Sequence, residues 1–285
     1  MSGVNADDWI ERVAGGLAPE DMAERIYAGR ILFFEGLPAV AALIEETRAI
    51  LEDVFDGAFP PTAFRTLGAE GFRATLCKAQ KRFVASPEVE RHYTDALIAA
   101  GAAPEATYRD RLILRAAPPF DAPNGSGYGR LPAHRDSWGA GLDCQINWWL
   151  PIYDITAERT MAVFPYAWDR KVVNDSAGWE PSRARKEPDY PELPSAREPV
   201  NWDAALPLVV PTGTLMAFSA THLHATIPNT SGEARISSET RTVDRRHLLA
   251  GRGAPNLDRG PVAPATGWFR RLGGGPSLRD DLQTA

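Results

Sequence analysis

The stretch Gln145-Ile146-Asn147-Trp148-Trp149-Leu150-Pro151 sorts its side chains by strict alternation. In an extended strand successive side chains leave on opposite faces. Gln145, Asn147 and Trp149 therefore share one face. Ile146, Trp148 and Leu150, with Cys144 ahead of them, share the other. The apolar face packs on the body of the protein, and the polar face is free to line a cavity. The same period of two extends both ways along the chain. Upstream, the span 108–115 places Arg109, Arg111, Ile113 and Arg115 on one predicted strand face. Downstream, strands are predicted over 160–164, 206–210, 214–219 and 234–243.

Before residue 105 the pattern is helical. Pro19-Glu20-Asp21 is an acidic first turn, Gly29 ends that helix, and 30–34 reads as a short buried strand. Pro38 opens a second helix, in which Val40, Leu43, Ile44, Ile50, Leu51 and Val54 recur at helical spacing, and more helix is expected within 69–100. Helices followed by six or more short strands with Gly/Pro turns predict an α+β protein. Its core is a double-stranded β-helix (jelly roll) with the N-terminal helices packed on one sheet. The expected organisation is a single domain over 1–285. Residues 1–105 give mainly helical support, and 106–244 form the jelly-roll core. A proline-broken, lid-like insertion spans 166–205, and 245–285 form a partly ordered tail that Trp268-Phe269 can anchor.

A chain of 285 residues with 44% hydrophobic and 24% charged content can bury a substantial core. Its net charge of −6 argues against nucleic-acid or anionic-membrane partners, which call for a basic patch. The two cysteines, Cys77 and Cys144, form no metal-type pair, and the first residues lack the basic start and apolar run of a signal peptide. No stretch has the apolar length of a membrane span. The expectation is a cytoplasmic protein acting on a small molecule, its oligomeric state left open.

Chemistry concentrates in His134-Arg135-Asp136, which follows a Gly-rich loop over 124–129 and precedes the polar-faced strand. Two positions apart in an extended segment, His134 and Asp136 project to the same side. Two imidazoles and one carboxylate are the ligands of a mononuclear non-haem Fe(II) site with open positions. Two residues compete to be the second imidazole, His222 and His224, of which His224 is preferred. Eleven residues beyond it stands Arg235, sharing a strand face with Ser237. A guanidinium fork with a neighbouring hydroxyl suits the far carboxylate of a 2-oxoacid. Glu239 and Arg241 continue that face, where an internal salt bridge is the plainer reading of Arg241. Arg109, Arg111 and Arg115 can place one or two guanidiniums against an acidic substrate, or pair with Asp110, Asp143 or Glu239. Trp138, Trp149 and Trp168 can form a substrate wall, or core.

Gly213-Thr-Leu-Met-Ala-Phe218, His224-Ala-Thr-Ile-Pro-Asn229 and Arg235-Ile-Ser237, with the His134 triplet and the Gln145–Pro151 strand, resemble the phytanoyl-CoA dioxygenase-like branch of Fe(II)/2-oxoglutarate oxygenases. The likeness spans about residues 30–244. It implies iron on His134, Asp136 and His224, the 2-oxoglutarate C5 carboxylate on Arg235, and O₂ as the oxidant. Asn147 or Gln145 would steady the other end of the co-substrate. The implied reaction is oxidation, foremost hydroxylation, of an unactivated C–H bond in a small, polar natural-product or amino-acid-like substrate, with Arg111, Arg115, Trp138, Trp149 and Arg241 as its contacts. Members commonly carry a Pro-Gly-Ser-His turn where this chain has Phe164-Pro-Tyr-Ala-Trp168, so substrate identity does not transfer. Asp136 separates the chain from halogenating relatives, which have a small residue there. Two other classes are compatible with parts of the pattern. A cupin-like metalloenzyme that does not use 2-oxoglutarate has no need of Arg235-x-Ser237, and a non-catalytic jelly-roll binding protein has no need of a metal.

Overall fold

A computed structural model describes residues 5–122, 127–184, 187 and 190–284. Residues 124–126 of the expected Gly-rich loop, and Pro188 of the insertion, lie outside the described residues. The architecture is mixed helix and sheet, as the sequence pattern predicts. The strands are β1 (Ile10–Ala14), β2 (Ile31–Glu35), β3 (Thr107–Arg109), β4 (Ile113–Ala117), β5 (Gln145–Pro151), β6 (Met161–Val163), β7 (Leu206–Pro207), β8 (Leu215–Ser219), β9 (His224–Thr226), β10 (Arg235–Asp244) and β11 (Arg270–Arg271). The larger sheet runs β1-β2-β8-β5-β10-β3-β11, with β4 also paired to β10; the smaller runs β7-β6-β9. Among the named strands only β1 and β2 pair in parallel, the other strand pairs being antiparallel; Ala116 of β4 also makes an isolated parallel bridge to Tyr128.

Four helices cover one face of the larger sheet: α1 (Pro19–Tyr27), α2 (Pro38–Val54), α3 (Phe64–Ala85) and α4 (Pro87–Ala100). Ser86-Pro87 divides the helical region expected over 69–100. The Ser86 hydroxyl accepts from the Val89 amide at 3.2 Å, and proline opens the next helix, where no amide donor is needed. Leu43, Leu51, Phe72, Leu76, Phe83, Tyr93 and Leu97 from these helices share one core with Ile146, Trp148 and Leu150 of β5. Trp149 turns the other way. It joins Ile31, Phe33, Met216 and Phe218 against Met161, Val163 and Leu206 of the smaller sheet. Each large side chain so buried contributes roughly 1.5–3 kcal/mol. The alternation of β5 thus assigns one face to the helices and the other to the space between the sheets.

The single strand predicted over 108–115 is two. Asp110 takes the Arg111 amide on its carboxylate at 2.7 Å, and its own amide donates to the Arg241 carbonyl at 2.9 Å. This local side-chain bond breaks the ladder. As a result Arg109 meets Glu90 of α4 at 2.6 Å while Arg115 faces the inter-sheet cavity, so the two do not share a face. The C-terminal stretch lies along the domain. Phe269 is fully buried, β11 pairs with β3, and the Ala265 amide donates to the Ala140 carbonyl at 2.8 Å. Cys77 is exposed and Cys144 buried, neither in a disulfide. No helix among the described residues is long and apolar enough to cross a membrane.

Candidate metal centre

His134 and His224 stand directly opposite one another. Each donates its amide to the other's carbonyl at 2.9 Å, an isolated antiparallel bridge at the mouth of the smaller sheet. Arg135 is extended, which brings Asp136 to the same side as His134 before the short helix Asp136–Ala140 begins. One potential ligand atom from each of His134, Asp136 and His224 lies within 4.8 Å of the other two. The carboxylate is 3.8 Å from Nε2 of each histidine, through a different oxygen to each.

The protonation pattern follows from the neighbours. Nδ1 of His134 faces the Pro132 carbonyl at 2.8 Å, and Nδ1 of His224 faces the His222 carbonyl at 3.0 Å. A carbonyl only accepts, so each Nδ1 carries the proton and each Nε2 presents its lone pair to the shared space. Burial, then the neighbouring His224, pushes His134 down to about 3, so its imidazole is neutral at physiological pH. Burial alone would raise the Asp136 carboxyl. Arg241 and the two imidazoles overcome it and hold the group at about 2, with Asn147 adding a 2.7 Å hydrogen bond. A carboxylate and two imidazoles turned inward through Nε2 are a donor set that a divalent transition metal takes.

Arg135, between two of these groups, points the opposite way and is almost wholly buried. Its guanidinium donates to the carbonyls of Thr221, Ala167 and Arg170 and meets Asp258 at 3.2 Å. Asp258 also accepts from the Trp138 indole at 2.7 Å. That network ties the triplet to the loop before His224. It also makes Trp138 a core residue rather than a cavity wall. His222 is buried as well. Its two nitrogens face the Ser219 and Gly29 carbonyls at 3.2 and 3.1 Å, and the Trp168 ring lies 4.5 Å away. Neither nitrogen is available to a metal.

The triad opens into a cavity between the sheets, lined also by Trp149, Met161, Phe218, Arg115, Arg235, Glu239 and Arg241. Arg235 is buried, with Nε and Nη1 unpartnered among the described residues, as is Oγ of Ser237 two positions on. Its guanidinium lies 5.7 Å from the centre of the Trp149 ring. Burial, then Arg115, pushes Arg235 down to about 10, which leaves it charged at neutral pH. Unpartnered buried donors are costly, so this arrangement calls for an anion. Four arginines and two carboxylates line the cavity, an excess of positive charge even before a metal.

The other residues singled out in the sequence are placed as follows. Arg115 donates twice to Glu239, at 3.0 and 2.9 Å. Arg241 bridges Asp110 at 3.1 Å and Asp136 at 3.3 Å. Asn147 holds Asp136, and Gln145 in turn donates to the Asn147 carbonyl oxygen at 2.9 Å. Arg111 is exposed, and no acidic side chain pairs with its guanidinium among the described residues. A second, larger cavity adjoins the first and shares His134, Asp136, Arg111 and Arg241 with it. Its remaining wall includes Trp179, Leu193 and Pro194 of the insertion and Trp268 of the C-terminal stretch. Sequence reasoning missed Asp110 as the partner of Arg241, and Trp179 and Trp268 as walls. The strand break at Asp110 was the one available hint.

No family model matches this chain, and no curated protein does. Solved structures resemble it distantly. One is the apo form of ThoJ, described as a non-heme monooxygenase, at 17% identity and TM-score 0.49 over 79% of this chain and 77% of that one. Another is EvdO2 from Micromonospora carbonacea var. aurantiaca, at 12% and 0.45 over 82% and 94%. A third is the epimerase SnoN in complex with Fe3+, alpha ketoglutarate and nogalamycin RO, at 17% and 0.41 over 91% and 100%. Likenesses this remote carry no activity across, and the function rests on the residues.

Proposed function

We propose that the protein is a non-haem Fe(II)- and 2-oxoglutarate-dependent dioxygenase built on a jelly-roll core. It oxidises, foremost hydroxylates, an unactivated C–H bond of a small, polar natural-product or amino-acid-like molecule. One observation carries the reading: buried Arg235, with unpartnered donors, lines the same cavity as the His134–Asp136–His224 triad, and the unpartnered Ser237 hydroxyl stands two positions on. A metalloenzyme without a 2-oxoacid would gain nothing from that arrangement, and a binding protein would not need the triad.

In this reading His134, Asp136 and His224 hold iron through two Nε2 atoms and a carboxylate oxygen. Arg235 takes the C5 carboxylate of 2-oxoglutarate in a fork, and Ser237 donates alongside it. Asn147 and Arg241 orient the Asp136 ligand from either side. Asn147 is thereby a positioning residue for the metal, with Gln145 behind it, rather than a direct contact of the co-substrate. Met161, Trp149 and Phe218 exclude water from the methylene chain. When bound, the iron with 2-oxoglutarate and O₂ supplies a two-electron oxidation of substrate, with succinate, CO₂ and hydroxylated product as the balance. The chain 1–285 acts as one oxygenase domain, and the insertion over 166–205 walls the approach to the metal.

Anaerobic addition of Fe(II) and then 2-oxoglutarate tests this directly. A weak visible charge-transfer band is expected with the wild-type protein. Its absence despite bound iron would refute a 2-oxoacid chelate, and a screen for succinate release would then have no basis.

A further inference from the structure

The outer chamber is more than a passage, and its chemistry differs from that of the inner cavity. It is the roomier of the two, and it reaches the triad directly. Two indoles from segments far apart in the chain line it. Trp179 is 8% exposed, and its Nε1 donates to the Pro191 carbonyl at 3.0 Å. Its ring rests on Gly139. A Cβ at that position would stand 3.4 Å from the ring and 3.3 Å from Pro194, so the backbone of the Asp136–Ala140 helix comes close. Trp268 sits between Ala265, hydrogen-bonded to Ala140, and the buried Phe269. The Trp179 ring is thus held by its surroundings before any ligand arrives, and Trp268 packs partly buried against the core. Ile113, Leu131, Leu193 and Pro194 extend the apolar surface.

The charges of the chamber are nearly all satisfied internally. Arg115 is taken by Glu239, Arg135 by Asp258, and Arg241 by Asp110 and Asp136. Arg111 is the exception among the described cations of the wall. Its amide is bound by Asp110, its guanidinium by no acidic side chain. Glu192, exposed, is the other charge of the wall without an ion-pair partner among the described residues, and it comes from the insertion.

The geometry points to a substrate with a flat, largely apolar ring system, seated against Trp179 and Trp268, and a carboxylate or phosphate held by Arg111. This rests on the oxygenase reading for its chemistry but not for its binding. It also narrows that reading, because a chamber with two indoles in a mixed polar and apolar wall suits a ring-bearing acid better than a free amino acid. Indole walls contribute area and stacking at little entropic cost. A single free guanidinium selects an anionic end over a neutral one.

The test is calorimetric titration of the iron- and 2-oxoglutarate-loaded protein under anaerobic conditions with three probes: 2-naphthoate, 2-naphthyl phosphate and 2-naphthylmethanol. The two anions are expected to bind about tenfold more tightly than the alcohol, the size of one charge-assisted contact. Arg111→Gln should abolish that preference. Trp179→Leu and Trp268→Leu should weaken all three probes by similar factors, and Trp179→Phe should restore most of the loss. Comparison of the two anions separates carboxylate from phosphate as the preferred group. An anion preference that survives Arg111→Gln, or no binding of any probe at millimolar concentration, would overturn the proposal. The visible band is recorded on every sample. A missing band in wild-type protein that still binds naphthoate would sink the oxygenase reading alone.

Discussion

The inner cavity hangs on strands and the outer chamber largely on loops, and the difference shows in how their polar groups are paired. In the inner cavity nearly every charged side chain already has a partner inside the protein. Asp136 is gripped by Asn147 and Arg241, and Arg115 by Glu239. What is left over among the described residues is chiefly the Arg235 fork and the nearby Ser237 hydroxyl, with one nitrogen of Arg115 and, toward the outer chamber, Arg111. The outer chamber takes Arg111 from the break between β3 and β4, Trp179 and Glu192 from the insertion, and Trp268 from the C-terminal stretch. Strand-borne groups are placed by the ladder and suit chemistry that tolerates little displacement. Loop-borne groups can change without disturbing the ladder and suit the selection of a substrate.

The sharpest way to break that contrast is at the metal. Asp136→Ala removes the only carboxylate of the triad and leaves Arg241 facing a void. Iron-dependent turnover of 2-oxoglutarate is expected to fall by at least about 10³-fold, the scale on which transition-state chemistry depends on its central group. Succinate formation measured with saturating Fe(II) checks it, and unaltered formation would remove Asp136 from the ligand set. Next in size comes Arg235→Ala. It should raise the KM for 2-oxoglutarate about 100-fold, since a buried bidentate charge pair is lost, while iron binding persists. If iron binding fell and the KM for 2-oxoglutarate did not change, the anion assignment would be wrong.

Asn147→Ala separates two readings of the same residue. A partner of the co-substrate would affect 2-oxoglutarate alone. A residue orienting Asp136 should weaken iron binding about tenfold or more, the usual cost of losing a ligand's supporting hydrogen bond. Equilibrium dialysis of iron with and without 2-oxoglutarate distinguishes these outcomes, and the 2.7 Å contact with the carboxylate favours the second.

How much of this was legible beforehand follows the same division. Strand alternation placed Asn147 and Trp149 opposite Ile146 and Trp148, because a period of two leaves a strand no other choice. It also put Arg235 and Ser237 on one face of β10. The juxtaposition of His134 and His224 needed more than parity, since the bridge joins segments ninety residues apart. Arg109 defeated the method. A local bond from Asp110 to the next amide ended the strand, and alternation cannot be counted through a break. Trp138 and Trp179 are alike as letters, and neither spacing nor composition says that one is core and the other wall. Their fates were decided by tertiary partners, Asp258 for the first and Pro191 with Gly139 for the second.

His222 offers the mildest perturbation and a control for His224, two positions on. Both histidines are buried, but His222 turns its nitrogens to the Ser219 and Gly29 carbonyls, and burial pushes it down to about 4. The folded protein therefore keeps this imidazole neutral at pH values where the unfolded chain, titrating near about 6.5, has already taken up a proton. Its share of stability is present above about pH 6.5 and is lost as the pH falls toward 4. His222→Phe removes that titration along with the one hydrogen bond that a neutral imidazole can donate to its two carbonyl neighbours. The metal-free variant should melt lower by a few degrees near pH 7.5, on the order of one or two kcal/mol for a chain of this size. Its Tm should then decline less steeply than that of the wild type between pH 6.5 and 4. Iron affinity should change little, in contrast with the loss expected for His224→Phe. An unchanged slope would mean that His222 is already protonated in the folded protein, and that its two carbonyl neighbours outweigh its burial.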